Sequence, residues 1–522
     1  MLFTFSRTGR KDLLHNATRR RSSPRGESPI PTQALGLSPL DLVLVAAYLA
    51  GITAFGVRFR KRQRSLRDYF LADRNIPWWA IALSIVAAET SVLTIISIPG
   101  LAYDTDFGFL QLVLGYLVAR VLICLLFIPQ YFRGELFTAY QLIERRFGTR
   151  LRTLTAAIFL LTRAAAEGVR VYAVSIVVRF ALGRGEGGPA WVDVAAIAAV
   201  LLLTLIYAFE GGMAAVIWTD VVQIVIYITG TLVAVFTLLH LVPGGWPAVH
   251  ALAGSAGKFR VFHFSRDLFQ TYTFWAGLVG GTFLTMASHG TDQLIVQRLL
   301  AARSERASKS ALLASGLFIL AQFALFLLVG ALLFAFYRVF PPAAPFRRSD
   351  DIFPTFIVSE MPRGMAGLLV AAILAAAMSN LSAALNSLSS SSVVDFYLRL
   401  RPGASDAERL RLSRRATLVW GAVLFVLALL FLFRGGRVVE VGLAIASIAY
   451  GALLGIFLLG VLTRRASQAG GALGMACGLA IELYVARWTH LPWTWYVAIG
   501  TLTTFAIGYI ASFVFPRKEA NG

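Results

Sequence analysis

Apolar stretches of about 20 residues or more recur along nearly the whole chain, at about 40–59, 78–101, 107–131, 152–182, 190–209, 212–242, 272–299, 308–340, 364–396, 415–434, 438–463, 468–488 and 491–515. Each is long enough to cross a bilayer. In lipid every backbone N–H and C=O needs a partner within the protein, so segments of this kind are helices. The expected fold class is therefore an all-α polytopic membrane protein with about thirteen transmembrane helices. Charge agrees: 14% of residues are Asp, Glu, Lys or Arg, against about 25% in soluble domains. The formal net charge of +21 suggests nucleic acid at first sight. That class is excluded, because the Lys and Arg sit in short clusters between apolar segments, as cytoplasmic loops do.

Residues 1–38 are rich in Arg, Ser and Pro without helical periodicity, and are read as a disordered basic tail. The segment lacks a signal peptide's apolar core and cleavage site. Residues 39–516 form the transmembrane domain and 517–522 a short cytoplasmic tail. Leu136–Phe147 is amphipathic and suits the interface. Basic clusters follow spans one, seven, nine, eleven and thirteen and precede span four; Asp104, Asp106 and the Pro243–Trp246 turn lie on the other side. The C-terminus is placed in the cytoplasm and the N-terminus outside. The basic tail runs against that rule.

Polar residues inside the apolar segments carry the chemistry. Span nine reads Ala375-Ala376-Ala377-Met378-Ser379-Asn380-Leu381-Ser382-Ala383-Ala384-Leu385-Asn386-Ser387. Oxygen-bearing side chains three and four apart share one helix face, a donor set suited to a small hard cation such as sodium. Span two, from Trp78 to Thr94, is small in the middle and then holds Glu89, Thr90, Ser91 and Thr94. A break there would free backbone carbonyls for an ion. Small-residue packing around one buried ion pair reads span two equally well. Cys124 and Cys477 lie in apolar segments and suggest no disulfide. The six histidines form no zinc-binding spacing. No phosphate loop, nucleophile elbow or other catalytic constellation is visible, so an enzyme is not expected.

The sequence resembles the solute:sodium symporter family, which includes the sodium/glucose cotransporters and the sodium/proline symporter. The resemblance rests on Asp68-Tyr69-Phe70-Leu71-Ala72 with Trp78-Trp79, Glu210-Gly211-Gly212 to Trp218-Thr219-Asp220, Thr291-Asp292-Gln293 to Gln297-Arg298, and Ala376 through Ser387, in family order over about 40–515. It implies a leucine-transporter-type fold, with spans two to six and seven to eleven as two inverted five-helix repeats. It implies a sodium site of Ala87, Thr90, Ala376, Ser379 and Asn380, where Asn380 replaces the usual Ser or Thr. A possible second cation site would use Asp220, Ser379 and Ser382, but its other serine is Ala383 here.

For the solute, the sugar-binding Gln and Lys of the glucose cotransporters correspond to Gly442 and Ile319, so the sugar contacts are absent. Glu89, Thr94, Arg170 and Asp292 are the candidate solute contacts. Arg163, Glu167 and Arg170 lie on one helix stripe. Either they neutralise one another, or Arg170 reaches the cavity to bind a carboxylate and pairs with Glu89 when it is empty. The expectation is a plasma-membrane symporter (inner membrane in a Gram-negative cell) moving a small organic solute with Na+. A carboxylate is favoured over a sugar, with lipid and no nucleic acid as further partner. Proton coupling through Glu89 or Asp220, or a channel or receptor on the same fold, are the alternatives. Cysteines placed in the Arg60–Arg67 and Arg399–Arg415 loops should resist an impermeant thiol reagent in intact cells, and one near Asp104–Asp106 should react. Labelling of either basic loop from outside would reverse the orientation.

Overall fold

Helices make up most of the described chain, and a lone bridge between Ile76 and Ala302 is the only β pairing among the described residues. The computed structural model describes residues 36–59, 65–134, 136–183, 189–342, 345–346, 348–401, 403–434 and 438–516. Most of the basic tail, residues 1–35, and the C-terminal 517–522 lie outside the described residues.

In chain order the helices are α1 (Pro39–Val57), α2 (Leu66–Leu71), α3 (Trp78–Glu89), α4 (Val92–Asp104), α5 (Leu110–Leu126), α6 (Tyr140–Phe147), α7 (Thr149–Ala181), α8 (Ala190–Leu241) and α9 (Gly245–Ser255). They continue as α10 (Gly281–Gly290), α11 (Gln293–Leu300), α12 (Glu305–Val339), α13 (Ile352–Glu360), α14 (Met365–Ser391), α15 (Asp406–Arg434), α16 (Val438–Leu462), α17 (Gln468–Trp488) and α18 (Tyr496–Val514). Among the described residues, seven helices are long and apolar enough to cross a membrane singly, and the bent pair α3–α4 makes an eighth. Of the other expected spans, α7 is long but carries Arg163, Glu167 and Arg170, and the rest are shorter or broken. The 272–299 stretch becomes a π-helical turn at Ala276–Gly280, then α10, then α11. Expected spans five and six are one helical path, α8, kinked at Gly212 with φ 55°. Only glycine takes that backbone conformation without a side-chain clash.

α14 is buried along nearly its whole length and forms the axis of the bundle, while α1 and α15 turn most of their surface outward. α14's many Ala and Ser residues allow this, since small side chains admit close neighbours. α1 is tied to it at one end. Ser38 and Asp41 form a capping box on α1. The buried Asp41 carboxylate also accepts from the amides of Gly364 and Gly367 at the start of α14, both at 2.7 Å. A side chain at Gly367 would come within 2.5 Å of the Asp41 backbone. Two helix starts therefore share one acidic cap, which also complements the positive end of each.

The basic clusters gather at the other end. Arg146 reaches the carbonyl of Thr463, Arg399 that of Thr149, and Arg303 that of Asn75. There the buried Asp395, in the π-helical extension of α14, accepts from Arg152 at the start of α7 and from Thr138 before α6. At the opposite end Lys258 donates to the carbonyls of Tyr103 and Thr105. Asp41→Ala should lower the thermal stability of the purified protein by about 1–3 kcal/mol, because two buried amides lose their acceptor. An unchanged melting temperature would remove this tie from the account.

Candidate functional site

The site begins where the second expected span stops being a helix. α3 ends at Glu89, and the path turns by 67° before α4. Thr90 at the break is extended, with φ −84° and ψ 113°. Ser91 starts α4 as a capping box with Thr94: the Ser91 amide donates to the Thr94 hydroxyl and the Thr94 amide to the Ser91 hydroxyl. In a continuous helix those two amides would bond the carbonyls of Ala87 and Thr90. Hydroxyl chemistry at the break thus releases the two carbonyls that the sequence nominated. It also spends the Thr94 hydroxyl on the cap.

α14 faces this break. Asn380 donates through Nδ2 to the carbonyl of Ala88 at 2.7 Å, so the two helices touch at the break itself. Its side-chain oxygen Oδ1 is buried without a partner. A buried carbonyl oxygen left unbonded costs about 1–3 kcal/mol, and a hard cation is a natural partner for it. One residue before it, Ser379 donates to Asp220 Oδ1 at 2.7 Å and keeps its lone pairs for an ion. Ala376 lies buried one turn earlier on the same helix. The five nominated residues therefore lie on two facing elements at the break.

The second expected cation position is filled differently. Asp220 Oδ2 accepts from Ser84 at 2.5 Å and pairs with Arg298 at 2.9 Å, and Arg298 also donates to Ser84 at 2.8 Å. Ser382 donates to the carbonyl of Ser379. The positive charge beside Asp220 is thus a guanidinium supplied by α11.

Glu89 does not pair with Arg170. It pairs with Arg120 of α5 at 2.7 Å, and His289 of α10 lies 3.2 Å from the same oxygen. Arg120 is 1% exposed and also bonds Ser315 and the carbonyl of Tyr116. Arg170 turns instead to Glu167, three residues back on α7, and Arg163 bridges Glu167 and Asp292 at 3.3 and 3.4 Å. The physical reason is proximity: Glu167 lies one turn away on the same helix, and together with Asp292 it balances Arg163 and Arg170. Asp292 caps α11 through the amide of Leu294 and accepts from Tyr450 at 2.8 Å, so both its oxygens are engaged. Arg120 and His289 were missed in the sequence. An arginine inside an apolar span was the available signal.

The profile of the sodium:solute symporter family matches residues 69–478. The chain belongs to that family. It is 30% identical over 496 residues to the sodium/sialic acid symporter NanT of Aliivibrio fischeri, covering 93% of this chain and 95% of that one. It is 30% identical to the human sodium/iodide cotransporter over 438 residues, 82% of this chain and 66% of that one. A solved structure described as the substrate-bound outward-open state of a Na+-coupled sialic acid symporter, with a novel Na+ site, superposes with TM-score 0.85 at 28% identity. It covers 92% of this symporter and 99% of that chain. Mhp1, a nucleobase-cation symporter, superposes with TM-score 0.56 at 13% identity, which shows the shared fold. The protein is a multi-pass membrane symporter with sodium as coupling ion, and not an enzyme.

Because Arg120 and Glu89 are buried together, removing one partner strands the other. Arg120→Met should lower thermal stability by about 3–5 kcal/mol. Adding Glu89→Gln should recover part of the loss. Additive losses in the double variant would show that the two side chains do not act as a pair.

Proposed function

We propose that this symporter binds one sodium ion between the α3–α4 break and α14 and carries a small solute bearing a carboxylate inward across the plasma membrane, the inner membrane in a Gram-negative cell. The observation that carries the ion site is the unpartnered, buried Asn380 Oδ1 beside the released carbonyls of Ala87 and Thr90. The Ala376 carbonyl and the Ser379 hydroxyl complete five oxygen ligands, a count that suits sodium. A single ion is favoured because the Arg298 guanidinium already neutralises Asp220. A second cation beside it would leave buried net charge, which is costly.

The carboxylate is supported by the same break. The first turn of α4 turns its positive end to the break, where anions are stabilised. Glu89 does not oppose an anion, because Arg120 balances its charge. Relatives named for sialic acid and monocarboxylates carry carboxylate solutes, which agrees with this reading. Arg170, held by Glu167, is not needed for it.

For the architecture, we favour thirteen crossings, with two inverted five-helix repeats running from α3 to the second half of α8 and from α10 to α16. Each repeat then opens on a broken helix, α3–α4 in one and α10–α11 in the other, as discontinuous helices mark the binding sites of transporters with such repeats. Sodium binding at the break would order the start of α4 and raise solute affinity, and by linkage the solute would raise sodium affinity equally.

Uptake into proteoliposomes tests both parts. With an inward sodium gradient, labelled N-acetylneuraminate or a short monocarboxylate should accumulate, and unlabelled glucose should not compete. Competition by glucose but not by carboxylates would reject the solute class. Ser379→Ala should raise the half-saturating sodium concentration by about five- to 150-fold, the range of a lost buried oxygen partner. An unchanged sodium dependence would reject the ion site. A sodium Hill coefficient clearly above one for the wild type would reject the single ion.

A further inference from the structure

Two buried polar side chains outside the proposed ligand set, Tyr227 and Gln322, converge on the hydroxyl of Thr90 at the break. Tyr227 of α8 donates from its hydroxyl to Gln322 Oε1 at 3.0 Å. Gln322 of α12 donates from Nε2 to the Thr90 hydroxyl at 2.7 Å. Thr90 donates in turn to the carbonyl of Val86 at 2.8 Å. All three side chains are buried, so these bonds meet no competition from bulk water. Tyr227 also reaches the Thr90 hydroxyl directly, at 3.4 Å, so Tyr227 and Gln322 converge on the same group. An amide, unlike a hydroxyl, cannot exchange its two ends without turning over, so Tyr227 fixes which end of Gln322 faces Thr90.

The position of Thr90 makes this consequential. Its extended backbone is the turn of the 67° bend, and its carbonyl is one of the two that the break releases. A helix end holds its own geometry poorly once its internal bonds are gone. Here a side chain from another helix supplies the missing restraint, gripping the residue whose carbonyl has to be aimed.

The next residue on α12 faces a different environment. Phe323 packs on Phe109 with ring centroids 5.0 Å apart and on Tyr116 at 6.4 Å, and Phe109 packs on Tyr272. The carbonyl of Tyr116 accepts from Arg120, the partner of Glu89. Consecutive residues of one helix therefore touch the ion side of the break through Gln322 and the aromatic wall on its other side through Phe323.

We infer that Gln322, oriented by Tyr227, is a positioning residue that sets sodium affinity by holding Thr90, and that α12 links the ion site to the aromatic wall through Gln322 and Phe323. This inference rests on the sodium site proposed above. Gln322 touches no ion ligand atom directly; it acts through the Thr90 hydroxyl.

The test uses purified full-length protein and sodium chloride itself. The half-saturating sodium concentration for thermal stabilisation is read with potassium chloride holding ionic strength constant. Gln322→Met keeps length and removes both hydrogen bonds. It should raise the half-saturating concentration about three- to tenfold, the scale of one net hydrogen bond. Thr90→Ser, which keeps the hydroxyl, should bind sodium more tightly than Thr90→Val, which does not. Combining Thr90→Val with Gln322→Met should bind no more weakly than Thr90→Val alone, because both remove one interaction.

A wild-type sodium response in Gln322→Met overturns the inference, and so do additive effects in the double variant. A lower melting temperature in potassium with an unmoved sodium response also overturns it, since that is a structural role only. If Gln322→Met does not fold, Tyr227→Phe serves instead. It should weaken sodium binding in the same direction, and a wild-type value there overturns the inference. Ser379→Ala separates the two levels. If it leaves sodium binding intact, the ion site itself is wrong. If it weakens binding while Gln322→Met does not, only the positioning role falls.

Discussion

The structure depends on one interrupted helix in a medium without water. Between Glu89 and Val92 the backbone leaves its helical hydrogen bonds, at a depth where lipid supplies no replacement. An uncompensated break of this kind costs several kcal/mol. Everything packed around it serves as compensation. The Ser91–Thr94 capping box satisfies two amides, Asn380 satisfies the carbonyl of Ala88, and Gln322 holds the Thr90 hydroxyl. The carbonyls of Ala87 and Thr90 and the side-chain oxygen of Asn380 complete the interrupted turn. In the proposed site a cation would take the place of the missing helical partners, which would couple ion occupancy to helix geometry.

Buried charge follows the same logic. Four buried acidic groups are matched by partners from other elements: Glu89 by Arg120, Asp220 by Arg298 and Asp292 by Arg163, and Asp395 by Arg152 at one end of the bundle. These pairs join helices that would otherwise share only apolar contact, which gives little directional preference inside a bilayer. The pairs add specificity of arrangement more than stability, because desolvation offsets most of the Coulomb attraction. Their neutrality also leaves the partial charges of helix ends and released carbonyls to decide what the centre attracts.

Alternating access requires that such a centre have two packings of similar free energy. The grip of Gln322 on Thr90 and of Phe323 on the aromatic wall places both consequences of binding on one rigid helix. The tie from Asp41 to the start of α14 and that from Asp395 to Arg152 near its end anchor the axial helix at both faces of the bundle.

Much of this was legible in the order of residues. Apolar runs of about 20 residues dictate helices across a bilayer, because period and length alone decide how a backbone can be satisfied in lipid. The hydroxyl-rich stretches of spans two and nine marked the site, since polar groups at that depth need a function or a partner. Partner choice was not legible. Glu89 meets Arg120 rather than Arg170, and Asp220, a possible ligand of a second cation, holds Arg298. Gln322 and Tyr227 lie 232 and 137 positions from Thr90 in the chain and carried no signal of their own. The sequence by itself determined the membrane class, the helices and the polar patches, because these follow from local composition and spacing. Only the tertiary structure decided which charge neutralises which and which side chain grips Thr90, because those depend on distances between helices that are remote in the chain.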